Sequence, residues 1–277
     1  MKKTLLTICL VWMCFSLSAQ KIIDLSGKWS FSIDRQDNGE KEKWFSHTLN
    51  DCINLPGSMP EKLKGDEVTA KTQWTGSLYD SSYYYNPYME KYRKEGNIKF
   101  PFFLTPDKHY VGAAWYQKEV NIPADWKGER ILLFLERPHI ETTVWVNGQK
   151  TGMQNSLCVP HQYDITHYVR PGKCTITIRV DNRIKEINVG PDSHSITDQT
   201  QGNWNGIVGR ICLQTTPKTY FDDIQIYPEP EQKLARVKVV IKGTGTAKVK
   251  LSAESFNTDK KHIVPAIQQE KIGRAHV

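Results

Sequence analysis

The sequence lacks several features that would point to common functional classes. It has no Cys-x-x-Cys pair, so neither a zinc ribbon nor thioredoxin chemistry is indicated. It has no Gly-x-Gly-x-x-Gly segment, so no nucleotide site is indicated, and we predict that the protein carries neither a cofactor nor a metal. The formal net charge of +7 is not gathered into a basic stripe with interleaved aromatic residues, which argues against a nucleic-acid partner.

Long apolar runs are also absent, apart from a short one near the N-terminus. Two lysines precede the apolar residues 5–15, and residues 17–19, Leu-Ser-Ala, suit cleavage before Gln20. The apolar run is too short to span a membrane comfortably. We therefore predict that residues 1–19 are a signal peptide and that the mature protein is periplasmic or extracellular, without a membrane anchor.

Cysteine is sparse once the predicted signal peptide is removed. Of the six cysteines, four remain, namely Cys52, Cys158, Cys174 and Cys212. Export permits disulfides, and four cysteines allow three full pairings. Cys174 and Cys212 lie in apolar strand patterns, however, so we favour buried free thiols over any of these pairings.

Helical patterns are scarce, and strand patterns dominate. Trp29, Phe31 and Ile33 fall on one face by period-two alternation. The dipeptide Asn147-Gly148 lies between strand-like flanks and suits a type I′ hairpin, in which both central residues need φ > 0. Further strand patterns occupy residues 113–123, 130–136, 173–182, 209–217, 220–229, 236–243 and 246–255. Short strands separated by turn residues, without intervening helices, predict an all-β sandwich.

A Tyr- and Pro-rich segment, residues 62–110, has no clear periodicity. We call this segment the arm. A loop of this length in a compact domain is usually functional or packs on something else. It is therefore either a rim over a ligand site or an arm that packs against another domain, and we favour the second interpretation.

Six segments, taken in order, resemble the N-terminal sugar-binding domain of family 2 glycoside hydrolases, which include β-galactosidases, β-glucuronidases and β-mannosidases. The segments are LSGKWSF (25–31), LPGSMP (55–60), WYQKEV (115–120), VWVNG (144–148), HQYDITHYVRPGKCTITIRVDN (161–182) and DQTQGNWNGIVGR (198–210). The resemblance implies a galactose-binding-like jelly roll followed by an immunoglobulin-like sandwich and a (β/α)₈ barrel. The expected organisation is a signal peptide at 1–19, a jelly roll at 20–217, a partial immunoglobulin-like domain at 218–270 and a non-native tail at 271–277.

The resemblance also implies a retaining mechanism with two glutamates on the barrel, one of which normally follows an Asn. The sequence contains no Asn-Glu dipeptide, so we expect both catalytic glutamates to lie beyond this chain. The expected function is the non-catalytic front of an exported retaining exo-β-glycosidase of carbohydrate catabolism, with β-galactosidase-like activity favoured. Its partners would be a β-linked glycoside and its own barrel. The alternatives are a free-standing carbohydrate-binding module and a surface adhesion domain.

Residues 193–210, SHSITDQTQGNWNGIVGR, form a long polar segment that we call the ribbon. In the β-galactosidase branch of the family, an Asp-Gln pair precedes a Trp and a Gly-Ile-x-x-Arg segment, and the Asp contacts a sugar hydroxyl in the active site. Asp198 matches this position, although its spacing to Trp204 departs from that branch. The resemblance therefore implies that Asp198 binds the substrate.

The neighbouring side chains suit the same task. The amides of Gln199 and Asn205 both donate and accept hydrogen bonds, and Trp204 offers a stacking face. Asn182, at the end of a strand pattern, turns toward the same loop. The alternative is a structural loop in which Trp204 packs in the core and Asp198 caps a turn. We expect Arg210 to form a structural ion pair.

His161 and His167 lie six residues apart, which is poor ligand geometry on either a helix or a strand. We interpret both as solvated loop residues.

Overall fold

The structure is a computed structural model that describes residues 20–76, 80–185, 193–194, 196–232, 234–243, 247–254 and 263–271. The predicted signal peptide and residues 272–277 of the predicted tail lie outside the described residues. Strands account for 47% of the chain and helices for 9%, which confirms the predicted all-β class. Within the described ranges, no helix combines the length and apolar character that crossing a membrane requires.

The strands are short and joined mostly by turns. In chain order they are β1 Ile22–Asp24, β2 Gly27–Asp34, β3 Asp51–Leu55, β4 Gly57–Ser58, β5 Asp66–Glu67, β6 Lys108–His109, β7 Ala113–Ile122, β8 Arg130–Pro138, β9 Glu141–Val146, β10 Gln149–Asn155, β11 His161–Asp164, β12 Gly172–Asp181, β13 Gly206–Thr216, β14 Tyr220–Glu229, β15 Leu234–Lys242, β16 Ala247–Glu254 and β17 Ile263–Lys271. A one-turn α-helix, α1, covers Ser82–Tyr85. Short 3₁₀ helices cover Trp44–Ser46, Pro87–Tyr92, Ala124–Trp126 and Pro230–Gln232.

Two antiparallel sheets form the main sandwich. One has the strand order β10-β9-β12-β7-β2-β3, and the other has the order β1-β13-β8-β11 with β4 added beside β13. Side chains from both sheets meet in one hydrophobic cluster, as shown by Leu133 and Leu135 of β8 together with Ile176 and Ile178 of β12. Burying each such side chain contributes roughly 1.5–3 kcal/mol, so this interface is the main source of stability.

The local sequence signals for this sandwich are confirmed. Trp29 and Phe31 are buried on one face of β2, with Ile33 packed against the same cluster. Asn147 and Gly148 join β9 to β10 with φ values of 49° and 77°, as a type I′ turn requires.

The outer face of the six-stranded sheet carries a second, smaller cluster. Trp115 and Trp145 pack with ring centroids 5.0 Å apart. Trp44 and Phe45 pack against them from the segment between β2 and β3. The sheet is therefore buried on both faces in this region, and its strands are apolar on both sides here.

The part of the chain after β13 forms two hairpins, β14 with β15 and β16 with β17. The strand patterns at residues 220–229, 236–243 and 246–255 are thus confirmed as strands. Ile224 and Ile226 are 52% and 65% exposed, so this hairpin has an apolar face that nothing in the described residues covers.

The cysteines and histidines differ in part from expectation. All four cysteines are free, but only Cys174 and Cys212 are buried, while Cys52 and Cys158 are exposed. His167 is exposed as expected. The prediction for His161 is wrong, because β11 turns this side chain into the core, where Nδ1 lies 2.6 Å from the hydroxyl of Thr142.

Candidate functional site

The ribbon lies at one end of the sandwich. It follows β12 in the chain and joins the five-stranded sheet at Gly206, the first residue of β13. Gly206 has φ 145° and lies so close to β4 that an added Cβ would be 2.5 Å from the carbonyl oxygen of Gly57. Loops at the ends of strands are common places for binding residues, because a rigid scaffold holds them.

We expect Gly206→Ala to lower the free energy of unfolding by about 3 kcal/mol, since it adds a clash with backbone to a strained φ. Gly202→Ala is the matched control: Gly202 also has positive φ, 70°, but its added Cβ would meet nothing within 4 Å. The control should lose about 1 kcal/mol. Urea unfolding of both variants measures the difference, and equal losses would mean that the β4 contact is unimportant.

Asp198 fastens the ribbon to the arm. Its side chain is 1% exposed, and its two oxygens accept hydrogen bonds from the backbone N–H of Thr75 at 2.6 Å and of Asn203 at 2.5 Å. Nε2 of His109 lies 3.5 Å from the same carboxylate. Backbone hydrogen bonds from Asp198 to Thr75 and from Leu104 to Asp198 complete the attachment. In the described structure the carboxylate is therefore a structural centre, and its predicted contact with sugar stays a prediction.

The arm carries a cluster of aromatic rings next to Thr75, where it is hydrogen-bonded to the ribbon. Trp74 stacks on Phe103 at 5.3 Å, meets Phe100 edge-on at 5.2 Å and lies 4.8 Å from the ring of His109. Tyr83, which is fully buried, stacks on Phe100 at 4.4 Å. The arm thus has a core of its own. The sequence analysis favoured packing of the arm against another domain. It did not predict the hydrogen bonds that the arm forms with the ribbon.

Two of the predicted substrate-binding amides, Asn205 of the ribbon and Asn182 just after β12, are buried. The amide nitrogen of Asn205 donates to the backbone oxygens of Gly112 and Val180, and its oxygen accepts from the hydroxyl of Tyr116. The side chains of Asn205 and Asn182 are both 0% exposed.

Asn182 is used in the same way. Its nitrogen donates to Tyr110 and Asn203, and its oxygen accepts from the N–H of Gly112. All amide hydrogens of Asn182 and Asn205 are therefore committed within the protein, so neither residue has a donor left for a sugar.

Trp204 and Gln199 are nearer the surface, and both are half-buried. The structural alternative placed Trp204 in the core, but Trp204 is not part of the main hydrophobic cluster. It stacks on His139, with ring centroids 4.6 Å apart and an interplanar angle of 19°. Burial lowers the pKa of His139 to about 4, although a hydrogen bond from its ring to Asn203 and the charge of Asp198 act in the opposite direction. His139 is therefore a neutral ring at pH 7.

Three buried nitrogens around Asp198 have no hydrogen-bond partner within the described residues: Nε1 of Trp74, Nε2 of His109 and Nε2 of His139. An unsatisfied buried polar group costs about 1–3 kcal/mol, so such groups are rarely left in one place without a reason. We call Trp74, His109, His139, Asp198 and Trp204 the ribbon cluster. Sequence reasoning missed its first three members, since no local motif marks them.

A network of charges anchors the end of β12, which precedes the ribbon in the chain. The carboxylate of Asp181, which is fully buried, lies 2.9 Å from Arg179 and 2.8 Å from Lys185 and also bonds to Arg183. Burial alone would raise the pKa of Asp181. Hydrogen bonds from Arg183 and Lys185 and the charge of Arg179 outweigh it and hold this pKa well below its ordinary value.

We expect Asp181→Asn to destabilise the fold by about 3 kcal/mol, because it removes the fully buried carboxylate beside the buried Arg179, which then keeps only Asp37 and Glu141 as acidic partners. Since the folded-state pKa is depressed, the stabilisation by Asp181 is complete above about pH 4 and is lost as the pH falls through the lower folded value. Urea unfolding at several pH values measures this. Asp125→Asn, which removes an exposed pair with Lys21, is the control and should cost much less. Equal losses would contradict the network's importance.

Arg210, just inside β13, pairs with Glu136 of β8 at 3.2 Å. The structural ion pair expected for Arg210 is therefore present. The pair is largely exposed, so it contributes little to stability.

Comparisons with known proteins identify the family to which the chain is similar. The sequence profile described as "Glycosyl hydrolases family 2, sugar binding domain" matches residues 22–217. The chain is 24% identical over 266 residues to a β-glucuronidase of Pongo abelii, covering 86% of this chain and 35% of that protein. It is 24% identical over 222 residues to a β-glucuronidase of Paenibacillus borealis, covering 75% and 31%.

Among solved structures, the apo β-glucuronidase of Ruminococcus gnavus has the same fold, with a TM-score of 0.58, 16% identity, and coverage of 91% of this chain and 38% of that chain. The chain thus spans about a third of the length of the curated relatives it matches. The profile match covers most of the described sandwich, including β1 to β13 and the ribbon. From this match it follows that the chain belongs to glycosyl hydrolase family 2 and contains the family's sugar-binding domain.

Proposed function

We propose that this chain is the N-terminal, non-catalytic part of an exported, retaining β-glycosidase, and that the ribbon cluster completes the active site supplied by the rest of the enzyme. Terminal β-glucuronides are the proposed substrate class. The Asp-Gln pair of the ribbon favoured β-galactosides, but the named relatives are β-glucuronidases, and this is what moves the proposal to glucuronides.

The observation that carries the proposal is the group of unpartnered, buried nitrogens around Asp198. These nitrogens are already removed from water, so a group from outside the described residues could form hydrogen bonds with them without further desolvation of the protein. The Trp74 ring can donate to a hydroxyl or carbonyl oxygen, and Nε2 of neutral His139 donates or accepts according to its tautomer. A carboxylate such as Asp198 accepts from hydroxyls. These are the groups that a barrel loop or a sugar presents.

Export is proposed on the N-terminal pattern alone. If it is correct, the mature protein recovered from the periplasm or the medium begins at Gln20, and N-terminal sequencing reads Gln-Lys-Ile-Ile. A cytoplasmic product that retains residues 1–19 would refute export without affecting the enzymatic proposal.

The activity is tested with the full-length gene product and a panel of 4-nitrophenyl β-glycosides. We expect hydrolysis of the β-glucuronide with a kcat/KM at least about 100-fold above that of the β-galactoside, and proton NMR should show the β-anomer as first product. A preference for the galactoside would refute the substrate class alone. Inversion at the anomeric carbon, or no hydrolysis of any aryl glycoside, would refute the proposed enzyme.

A further inference from the structure

A cavity of about 670 Å³ lies at the end of the sandwich opposite the ribbon. In the β8–β13 ladder, Pro138 pairs with Ile207 near the ribbon, while Arg130 pairs with Thr216 beside the cavity. The intervening strand has 11 residues, which corresponds to about 35 Å. The cavity therefore cannot be part of the ribbon cluster, and its volume falls in the usual range for small-molecule sites.

The cavity has an apolar floor and a cationic rim. Buried Ile122, Ile131 and Val169 contribute to the floor. The cationic side chains of the rim are Lys127, Arg130, Arg170, Lys218 and Lys242, with His167 beside them, and the acidic ones are Glu129 and Asp164.

Much of this positive charge is not neutralised. Asp164 pairs with Arg130 at 2.7 Å, and Asp222 pairs with Lys242 at 2.9 Å. Lys127, Arg170 and Lys218 have no acidic partner among the described residues. Even with Glu129 counted against them, the rim keeps an excess of positive charge, which attracts anions.

The side chain of Arg130 is held in place within this rim. Its side chain is only 18% exposed, and its guanidinium lies 3.8 Å from the centre of the Tyr220 ring. Nε donates to Asp164, and Nη1 donates to the hydroxyl of Thr216 at 3.3 Å. Nη2 has no partner within the described part of the chain. The guanidinium is thus held in place with donor capacity to spare, and little side-chain entropy is lost when it binds an anion.

We propose that this cavity binds an anionic saccharide. The carboxylate or sulfate of the sugar bonds to Arg130 and lies among the lysines of the rim, and the ring packs its C–H faces on the apolar floor. A purely inorganic anion would leave this floor unused, and a neutral sugar would leave the cationic rim unused. The site goes beyond the proposed hydrolytic function and does not depend on it.

The test is isothermal titration calorimetry on the full 277-residue chain. The probes are glucuronyl-β-1,4-glucose, cellobiose 6-sulfate and neutral cellobiose. We expect saturable binding of at least one anionic disaccharide with Kd on the order of 1 mM or tighter, about 10-fold or more tighter than cellobiose, and weakened by added NaCl. Comparison of the two anionic probes distinguishes carboxylate from sulfate recognition. Equal affinity for cellobiose, or no binding of either anion, would overturn the proposal.

Two variants locate the site. Arg130→Gln should weaken binding of the anionic probe about 10-fold or more, whereas Arg210→Gln, six residues before Thr216 in β13, should leave it unchanged. If Arg130→Gln fails to fold by circular dichroism, the exposed double variant Lys127→Gln, Lys218→Gln replaces it, and a loss of about 5-fold is expected. Unchanged binding in a folded rim variant, or an equal loss in Arg210→Gln, would place the anion elsewhere and refute the assignment.

Discussion

The purified 277-residue chain should hydrolyse no aryl β-glycoside above the uncatalysed rate. Retaining hydrolysis needs two carboxyl groups held about 5 Å apart across the anomeric carbon. The family places both on a barrel, and the sequence offers no Asn-Glu dipeptide as the acid/base site. Relative to the full-length enzyme the expected loss is therefore the whole rate acceleration, on the order of 10⁶-fold or more.

Both proteins should be assayed side by side on the 4-nitrophenyl β-glucuronide, β-galactoside and β-mannoside. The chain should first be shown to be folded by circular dichroism, so that inactivity is not a consequence of misfolding. Turnover that co-purifies with the chain through a second, independent column would show that this domain contains a catalytic pair of its own.

In the full-length enzyme, Asp198→Asn should lower kcat/KM by roughly 10–100-fold, because a hydrogen bond from sugar to a charged group contributes about 1.5–3 kcal/mol. The same change also turns an amide N–H toward the backbone N–H of Thr75 or Asn203, since both carboxylate oxygens accept in the structure. A lower melting temperature is therefore expected together with the lower activity.

A matched control separates these two effects. Asn205→Ala also removes a fully buried hydrogen-bonding side chain of the ribbon, but all of that side chain's bonds go to the protein. It should lower the melting temperature and leave kcat/KM unchanged at temperatures where the variant is folded. If Asp198→Asn behaves in the same way as Asn205→Ala, then Asp198 has only a structural role.

The sandwich could be predicted from the sequence because its signals are local. The turn at Asn147-Gly148 is set by two adjacent residues, and the face shared by Trp29 and Phe31 follows from the alternation of one strand. These patterns need no knowledge of distant contacts. The family resemblance supplied the order of domains that the patterns alone left open.

The ribbon cluster could not be predicted in the same way. Thr75 and Asp198 are 123 residues apart in sequence, and no periodicity in the arm indicates that it is hydrogen-bonded to the ribbon. Asp198 was identified from a motif, but its burial follows from the arm covering it. Similarly, Asn205 was predicted at a sugar surface because amides bind sugars, whereas the fold uses it to satisfy backbone groups of two neighbouring segments.

The most direct measurement of the central claim is a crystal structure of the full-length enzyme with a glucuronide-derived inhibitor bound. We expect barrel residues or the sugar to lie within about 3 Å of the nitrogens that have no partner within the described residues, Nε1 of Trp74 and Nε2 of His109 and His139. Trp204 should then form part of the wall of the sugar pocket. A structure in which the ribbon cluster meets neither the barrel nor the inhibitor would contradict the claim that this domain completes the active site.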